Sequence, residues 1–258
     1  EMLPIVNKPL VQYAVEEAME AGLTDISFVT GRGKRAIEDH FDVSYELETQ
    51  INGTSKEKYL AGIREIMECC NFTYTRQREM KGLGHAILSA APIIGDNPFA
   101  VLLGDTICKG NPNCTKGLVD MFDKLQTSVF AVEKIKPEET RRYGIVSGKE
   151  IEDGLMLVDN LVEKPEPENA PSLLGIQGRY VFTPDLFKYQ KRTEAGAGEE
   201  IQLTDAMQAL AQNSEMFSWT FHGKRYDIGT MKDWFQSHLE LSANSEFSPI
   251  LNEVLSKL

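Results

Sequence analysis

Apolar runs of strand length recur through the first half of the chain, separated by stretches of helical periodicity. They are Ile26-Ser27-Phe28-Val29-Thr30, Phe72-Thr73-Tyr74-Thr75, Phe99-Ala100-Val101-Leu102-Leu103 and Ser128-Val129-Phe130-Ala131-Val132. Ahead of them, Val11 to Ala21 carries apolar residues on one helical face, and Gly22 stands where a helix would end. Strand and helix in alternation predict an α/β fold with a mostly parallel central sheet and helices on both faces. In such sheets ligands bind beyond the carboxyl ends of the strands.

The alternation is broken twice. Residues 44–70 are charged and helix-favouring, and they predict a helical insertion between the second and third strand units. After residue 132, Gly144-Ile145-Val146-Ser147, Met156 to Val162 and Leu174 to Phe182 read as strands with short polar connections, a smaller β region beside the sheet end. Ile201–Ala211, Met231–Ser242 and Ile250–Leu258 read as helices. With no internal repeat, low-complexity tract or long linker, residues 1–258 form one domain. It is organised as 1–132 with its insertion, then 133–229, then the C-terminal helices of 230–258.

Composition narrows the partners. A chain of 258 residues, 41% of them hydrophobic, can bury one large α/β core. Lys and Arg number 27 against 39 Asp and Glu, a net charge of −12. Bulk attraction to nucleic acid or an anionic membrane is thereby excluded, and a phosphate ligand must be met by a local site. No apolar run approaches the ~20 residues of a membrane span. Cys69, Cys70, Cys108 and Cys114 form no CxxC pair and have no histidine at zinc-site spacing. They read as free thiols, which predicts a cytoplasmic protein.

Four segments could carry chemistry. Val101-Leu102-Leu103-Gly104-Asp105 brings an acid to the end of an apolar strand, where it can hold Mg²⁺ or simply close a turn. Arg76-Gln77-Arg78-Glu79-Met80-Lys81-Gly82-Leu83-Gly84-His85-Ala86 links a strand to a helix. The Gln77 amide can read the edge of a base, and Gly82 lets the backbone approach a flat ring; a flexible basic loop fits the same residues. Val162-Glu163-Lys164-Pro165 ends a strand with an ammonium suited to phosphate and a carboxylate suited to sugar hydroxyls, on opposite faces if the extended conformation persists. A solvated ion pair is the alternative. Tyr226-Asp227-Ile228-Gly229 offers a second acid, able to complete a metal site or to cap the helix from Met231. Gly31-Arg32-Gly33-Lys34-Arg35-Ala36 matches a loose dinucleotide fingerprint. The Glu-rich insertion stands where a strand ending in an acid should follow, so the glycines read as an ordinary turn.

Taken in order, Glu1-Met2-Leu3-Pro4 with Lys8-Pro9-Leu10, Gln77 with Gly82-Leu83-Gly84-His85-Ala86, Gly104-Asp105, Tyr143-Gly144, Val162-Glu163-Lys164-Pro165, Gly178-Arg179-Tyr180, Glu200-Ile201-Gln202-Leu203-Thr204-Asp205 and Tyr226-Asp227-Ile228-Gly229 span the chain. The series resembles the bacterial UTP–glucose-1-phosphate uridylyltransferases, or UDP-glucose pyrophosphorylases, of the sugar-nucleotidyltransferase superfamily. The resemblance implies a Rossmann-like nucleotidyltransferase fold that joins UTP to glucose 1-phosphate, giving UDP-glucose and pyrophosphate, and a homo-oligomer. It also implies site residues: Glu1, Gln77 and Gly82 with the nucleotide, Asp105 and Asp227 with Mg²⁺, Gly144, Glu163 and Gly178 around glucose, and Lys164 on the sugar phosphate. Thr204 and Asp205 match the pattern too, although a helix start accounts for them. In that family a glycine-rich G-x-G-T-R loop, a lysine and the first central strand come before the position of Glu1, so the triphosphate-binding loop and first strand are expected outside residues 1–258. Two other readings remain, a thymidylyltransferase using dTTP and a non-catalytic nucleotide-sugar sensor.

Overall fold

The computed structural model describes residues 1–193 and 200–257. Leu258, the end of the last predicted helix, lies outside them. Two short strands, β1 (Pro4–Ile5) and β2 (Lys8–Pro9), pair and lead into α1 (Leu10–Glu20). Gly22 at φ 83° ends α1 as expected: its N–H reaches the Met19 carbonyl while that of Leu23 reaches Ala18. Next comes β3 (Asp25–Thr30), followed by α2 (Arg35–His40), α3 (Tyr45–Ile51), a 3₁₀ turn (Glu57–Leu60) and α4 (Ala61–Cys69). The last three make the predicted helical insertion. β4 (Asn71–Arg76), α5 (Gly82–Ile94), β5 (Phe99–Leu102), β6 (Thr106–Lys109), α6 (Cys114–Leu125) and β7 (Val129–Lys134) complete the first half.

A 3₁₀ turn (Pro137–Arg142) opens the second half. It holds β8 (Gly144–Glu152), β9 (Leu155–Glu163), β10 (Leu174–Phe182), α7 (Leu186–Gln190), α8 (Leu203–Ala211), β11 (Phe217–Thr220), β12 (Lys224–Asp227), α9 (Met231–Ala243) and α10 (Ser248–Leu255). Among the described residues no helix is long and apolar enough to cross a membrane.

Six strands form the main sheet in the order β5-β10-β7-β11-β9-β8. The expected mostly parallel sheet is corrected here. Within the main sheet, β7 and β11 run parallel while β10 is antiparallel to β5 and β7, β9 to β11, and β8 to β9. A second parallel pair, β3 and β4, stands as its own ladder. The cause lies in the connections. The β8–β9 turn at Asp153-Gly154 is far too short for a parallel crossover, and β10 inserts between β5 and β7 against both. Strands from either side of residue 132 thus share one sheet, and that boundary separates no two bodies.

Helices cover both faces of the sheet, as predicted. Alternate residues of β7 serve opposite cores. Phe130 and Val132 pack with Phe182, Leu186, Met207 and Leu210 under α5, α7 and α8. Val129 and Ala131 pack with Cys114, Leu118, Val181 and Phe217 under α6. A further ladder, β6 against β12, escapes the sequence pattern, because each strand has four residues and its partner lies on a remote segment.

Candidate active site

The two candidate acids meet through the β6–β12 ladder. Asp227 faces Thr106 across it, and the Ile228 N–H donates to the Asp105 carbonyl at 2.9 Å. Beneath them lies Arg179 on β10, wholly buried, with every N–H of its guanidinium engaged. Nε and Nη2 donate to the buried Glu17 carboxylate at 3.0 and 2.9 Å, Nη1 to the Leu103 and Gly178 carbonyls, and Nη2 also to the Thr106 carbonyl at 2.8 Å. Glu17 accepts in addition from the backbone N–H and the hydroxyl of Thr115. This one side chain therefore ties α1, β10 and α6 to the backbone on both sides of Asp105.

The residues expected around the sugar converge around a space that a side chain at 144 would fill. A Cβ on Gly144 would stand 3.0 Å from Ile176, 3.1 Å from the Thr204 hydroxyl and 3.3 Å from Glu163 Oε2. Thr204 donates to that Glu163 oxygen at 2.5 Å. Thr204 does stand in the first turn of α8, and from there its hydroxyl also bonds Glu163. Asp205 beside it has its carboxyl raised above the usual range by burial and by the Glu163 charge. Gly178 sits at φ 75° where the β10 register shifts, and a Cβ there would meet Leu103 at 2.9 Å. Only glycine suits both constraints.

Lys164 departs from the expected geometry. β9 ends at Glu163, and Lys164 takes φ 44°, a left-handed conformation that few residues other than glycine adopt. The extended backbone that would send the two side chains to opposite faces stops there, and the Lys164 ammonium comes within 3.4 Å of Glu163 Oε1. Its own N–H is held by the Tyr143 carbonyl at 3.1 Å.

Asp227 is the most heavily engaged acid of the group. Its Oδ2 accepts from the Tyr143 hydroxyl at 2.6 Å, Arg142 at 2.9 Å and Arg225 at 3.4 Å, while Oδ1 accepts from the Gly229 N–H at 3.0 Å. Burial and the Asp227 bond push the Tyr143 phenol up, which keeps it a donor. Asp105 is exposed, and Thr106 at 3.2 Å is its carboxylate's hydrogen-bond partner among the described residues.

One cleft of about 440 Å³ takes in Asp105, Arg142, Tyr143, Gly144, Glu163, Lys164, Gly178, Leu203, Thr204, Arg225 and Asp227. Six of the nine residues singled out from sequence lie in it: Asp105, Gly144, Glu163, Lys164, Gly178 and Asp227. Gln77, Gly82 and Glu1 do not line it. Gln77 spends its amide N–H on the Gly82 carbonyl (3.0 Å) and the His85 ring (3.1 Å), which shapes the turn into α5 at its edge. Gly82 sits at φ 82°, where a Cβ would stand 2.9 Å from Glu200. Glu1 pairs with Lys34 at 3.3 Å and packs 3.7 Å from the Cβ position of Gly104, beside Asp105.

Sequence reading passes over Arg142 and Arg225, the two guanidiniums on Asp227. A signal was available for Arg142, which immediately precedes the Tyr143-Gly144 motif. Arg225 stands two residues before Asp227 on a strand too short to be foreseen, and its partners Glu133 and Tyr143 come from elsewhere in the chain.

Two acids, a lysine and the glycine cradle at position 144 thus line one cleft. The nucleotidyl transferase family profile matches residues 1–244. The UTP–glucose-1-phosphate uridylyltransferase of Pseudomonas aeruginosa is 53% identical over 239 residues, covering 92% of this chain and 86% of that one. A UDP-glucose pyrophosphorylase solved in complex with UDP-glucose superposes with a TM-score of 0.89 at 44% identity, covering 95% of this chain and 90% of that one. A UTP-bound UGPase from Acinetobacter baumannii gives 0.90 at 31% identity, covering 100% and 91%. On fold, site and sequence together, the chain belongs to the nucleotidyl transferase family, among the UTP–glucose-1-phosphate uridylyltransferases.

Proposed function

We propose that the protein transfers a uridylyl group from UTP to glucose 1-phosphate, forming UDP-glucose and releasing pyrophosphate. The observation that carries this reading is the cradle at Gly144, where Glu163, held by Thr204, faces open space beside Lys164 and the two acids. Glu163 presents acceptors to sugar hydroxyls, and Lys164 places a cation for the sugar phosphate. A phosphate oxygen of glucose 1-phosphate attacks the α-phosphorus of UTP; the new P–O bond forms as the bond to pyrophosphate breaks. The nucleophile is already an anion, so no side chain has to activate it. Alignment and charge neutralisation suffice.

Asp105 and Asp227 suit Mg²⁺ as a donor set: one carboxylate stands just before β6 and the other at the end of its partner β12, both at the cleft, and Asp105 has a single hydrogen-bond partner on its carboxylate among the described residues. Bound there, Mg²⁺ would neutralise charge on the phosphates. Gln77 and Gly82 at the cleft edge, with Glu1 beside Gly104, are the proposed nucleotide contacts. A cytoplasmic, self-associating protein belongs to the same reading. Four free thiols support the first, and the exposed Met231, Phe235, Ile250 and Val254 of α9 and α10 support the second.

Pyrophosphate release measured with UTP and with dTTP tests the nucleotide. A clear preference for UTP is expected, and a preference for dTTP sinks the assignment. UDP-glucose binding without any turnover would favour a sensor. Thr204→Val should raise the KM for glucose 1-phosphate by roughly tenfold or more while Thr204→Ser keeps it near wild type, because the charged hydrogen bond to Glu163 is worth about 1.5–3 kcal/mol. Equal KM values in the two variants would remove Thr204 from the sugar site.

A further inference from the structure

Three donors crowd Asp227 Oδ2, and they differ in freedom. Tyr143 is held under the Arg225 guanidinium, whose carbon lies 4.4 Å from the ring centre. Arg225 is 9% exposed and is clamped by Glu133. Neither can leave without taking apart the wall of the cleft. Arg142 is different: it ends a 3₁₀ turn, its side chain is 42% exposed, its guanidinium carbon lies 5.4 Å from the Tyr143 ring centre, and its hydrogen bonds run through Nη2 alone, which reaches Asp227 at 2.9 Å and Asp233 at 3.2 Å. Its Nε and Nη1 donate to no acceptor among the described residues.

We propose that Arg142 trades partners during the reaction, holding the Asp227 and Asp233 carboxylates in the free protein and passing to the phosphate of the incoming sugar phosphate. This rests on the reading of Asp105 and Asp227 as the metal-holding pair. A divalent cation that takes Asp227 Oδ2 competes with the donors there, and Arg142 is the one able to move. Its exposed ion pairs are weak, so release is easy. A guanidinium with free N–H groups is suited to a bidentate grip on phosphate, which is stronger. Lys164 lies close by, its N–H on the carbonyl of the next residue, Tyr143, and both cations line the cleft. Metal entry and phosphate capture are thereby coupled: the charge that leaves the carboxylate arrives on the substrate.

The coupling predicts two opposite effects from one substitution. In Arg142→Gln, Mn²⁺ binding to the substrate-free protein, counted by electron paramagnetic resonance, should tighten by about fivefold, as expected for loss of an exposed competing ion pair. In the same variant the KM for glucose 1-phosphate should rise by roughly tenfold or more. Arg142→Lys should recover part of both. A residue that merely braces the wall would not tighten Mn²⁺ while weakening the sugar phosphate, so either effect without the other overturns the trade. Asp105→Asn and Asp227→Asn separate this from the underlying reading. If both lose Mn²⁺ while Arg142→Gln matches wild type, the metal pair stands and the trade falls; if both keep wild-type Mn²⁺ affinity, the metal pair and the trade fall together.

Discussion

Asp105→Asn is expected to lower kcat by about 10²–10³-fold while leaving the fold intact, the loss typical of removing one preorganised electrostatic contact to a transition state. The carboxylate is exposed and, among the described residues, meets only the Thr106 hydroxyl, so the amide replaces it with no buried partner left stranded. Asp227→Asn should reduce turnover as severely and also lower stability. Its Oδ2 receives three donors, and an amide NH₂ turned toward them would set donor against donor. Turnover with UTP and glucose 1-phosphate, paired with thermal melts, checks both. The informative pattern is equal kinetic loss with a lowered Tm in Asp227→Asn alone. Wild-type rates in either variant would remove that acid from the site.

Arg179→Met should destabilise the protein by about 3–5 kcal/mol, because it strands the buried Glu17 carboxylate. For a domain of this size that is a fall in Tm of roughly 10 °C. Removing both charges, in Glu17→Leu with Arg179→Met, should restore part of the loss, since an apolar pair avoids the stranded charge. Restoration should be incomplete: the carbonyls of Leu103, Thr106 and Gly178 still lack the donors Arg179 supplies. Those carbonyls flank Asp105 and the Gly178 bend, so turnover should stay depressed in the double variant even where the melt recovers. A double variant less stable than Arg179→Met alone would contradict a charge-burial account. Full recovery of turnover would show that Arg179 does not position the site.

Elements with strong local patterns were legible in advance. β3, β4, β5, β7, β9 and β10 lie where apolar runs predict them, and α1 ends at the glycine that predicts its end. Strand direction was not legible, because the alternation that implies parallel pairing says nothing about β10 slipping between β5 and β7. β6 and β12 escaped for the same reason at smaller scale. Four-residue strands with remote partners carry no periodicity of their own.

The site divides along similar lines. Residues whose chemistry is announced by type and neighbour were found: Asp105 after a glycine at a strand end, Glu163-Lys164 before a proline, and Asp227 before a glycine turn. Their engagement was not. An extended strand would point Lys164 away from Glu163, but its left-handed φ ends the extension and the two form the ion pair that was the other reading. Thr204 had a sufficient local account as a helix start, and only the packing of α8 against β9 brings its hydroxyl to Glu163.

By itself, the amino-acid sequence determined the α/β class, the free thiols, the acidic balance that demands a local phosphate site, and the family, since all of these rest on residue identity and order along the chain. Tertiary structure alone decided that Asp105 and Asp227 stand side by side, that Arg179 braces the backbone around Asp105, and that Arg142 rests on the Asp227 carboxylate. Each of those depends on pairings between segments far apart in the chain, and long-range pairing leaves no trace in local periodicity.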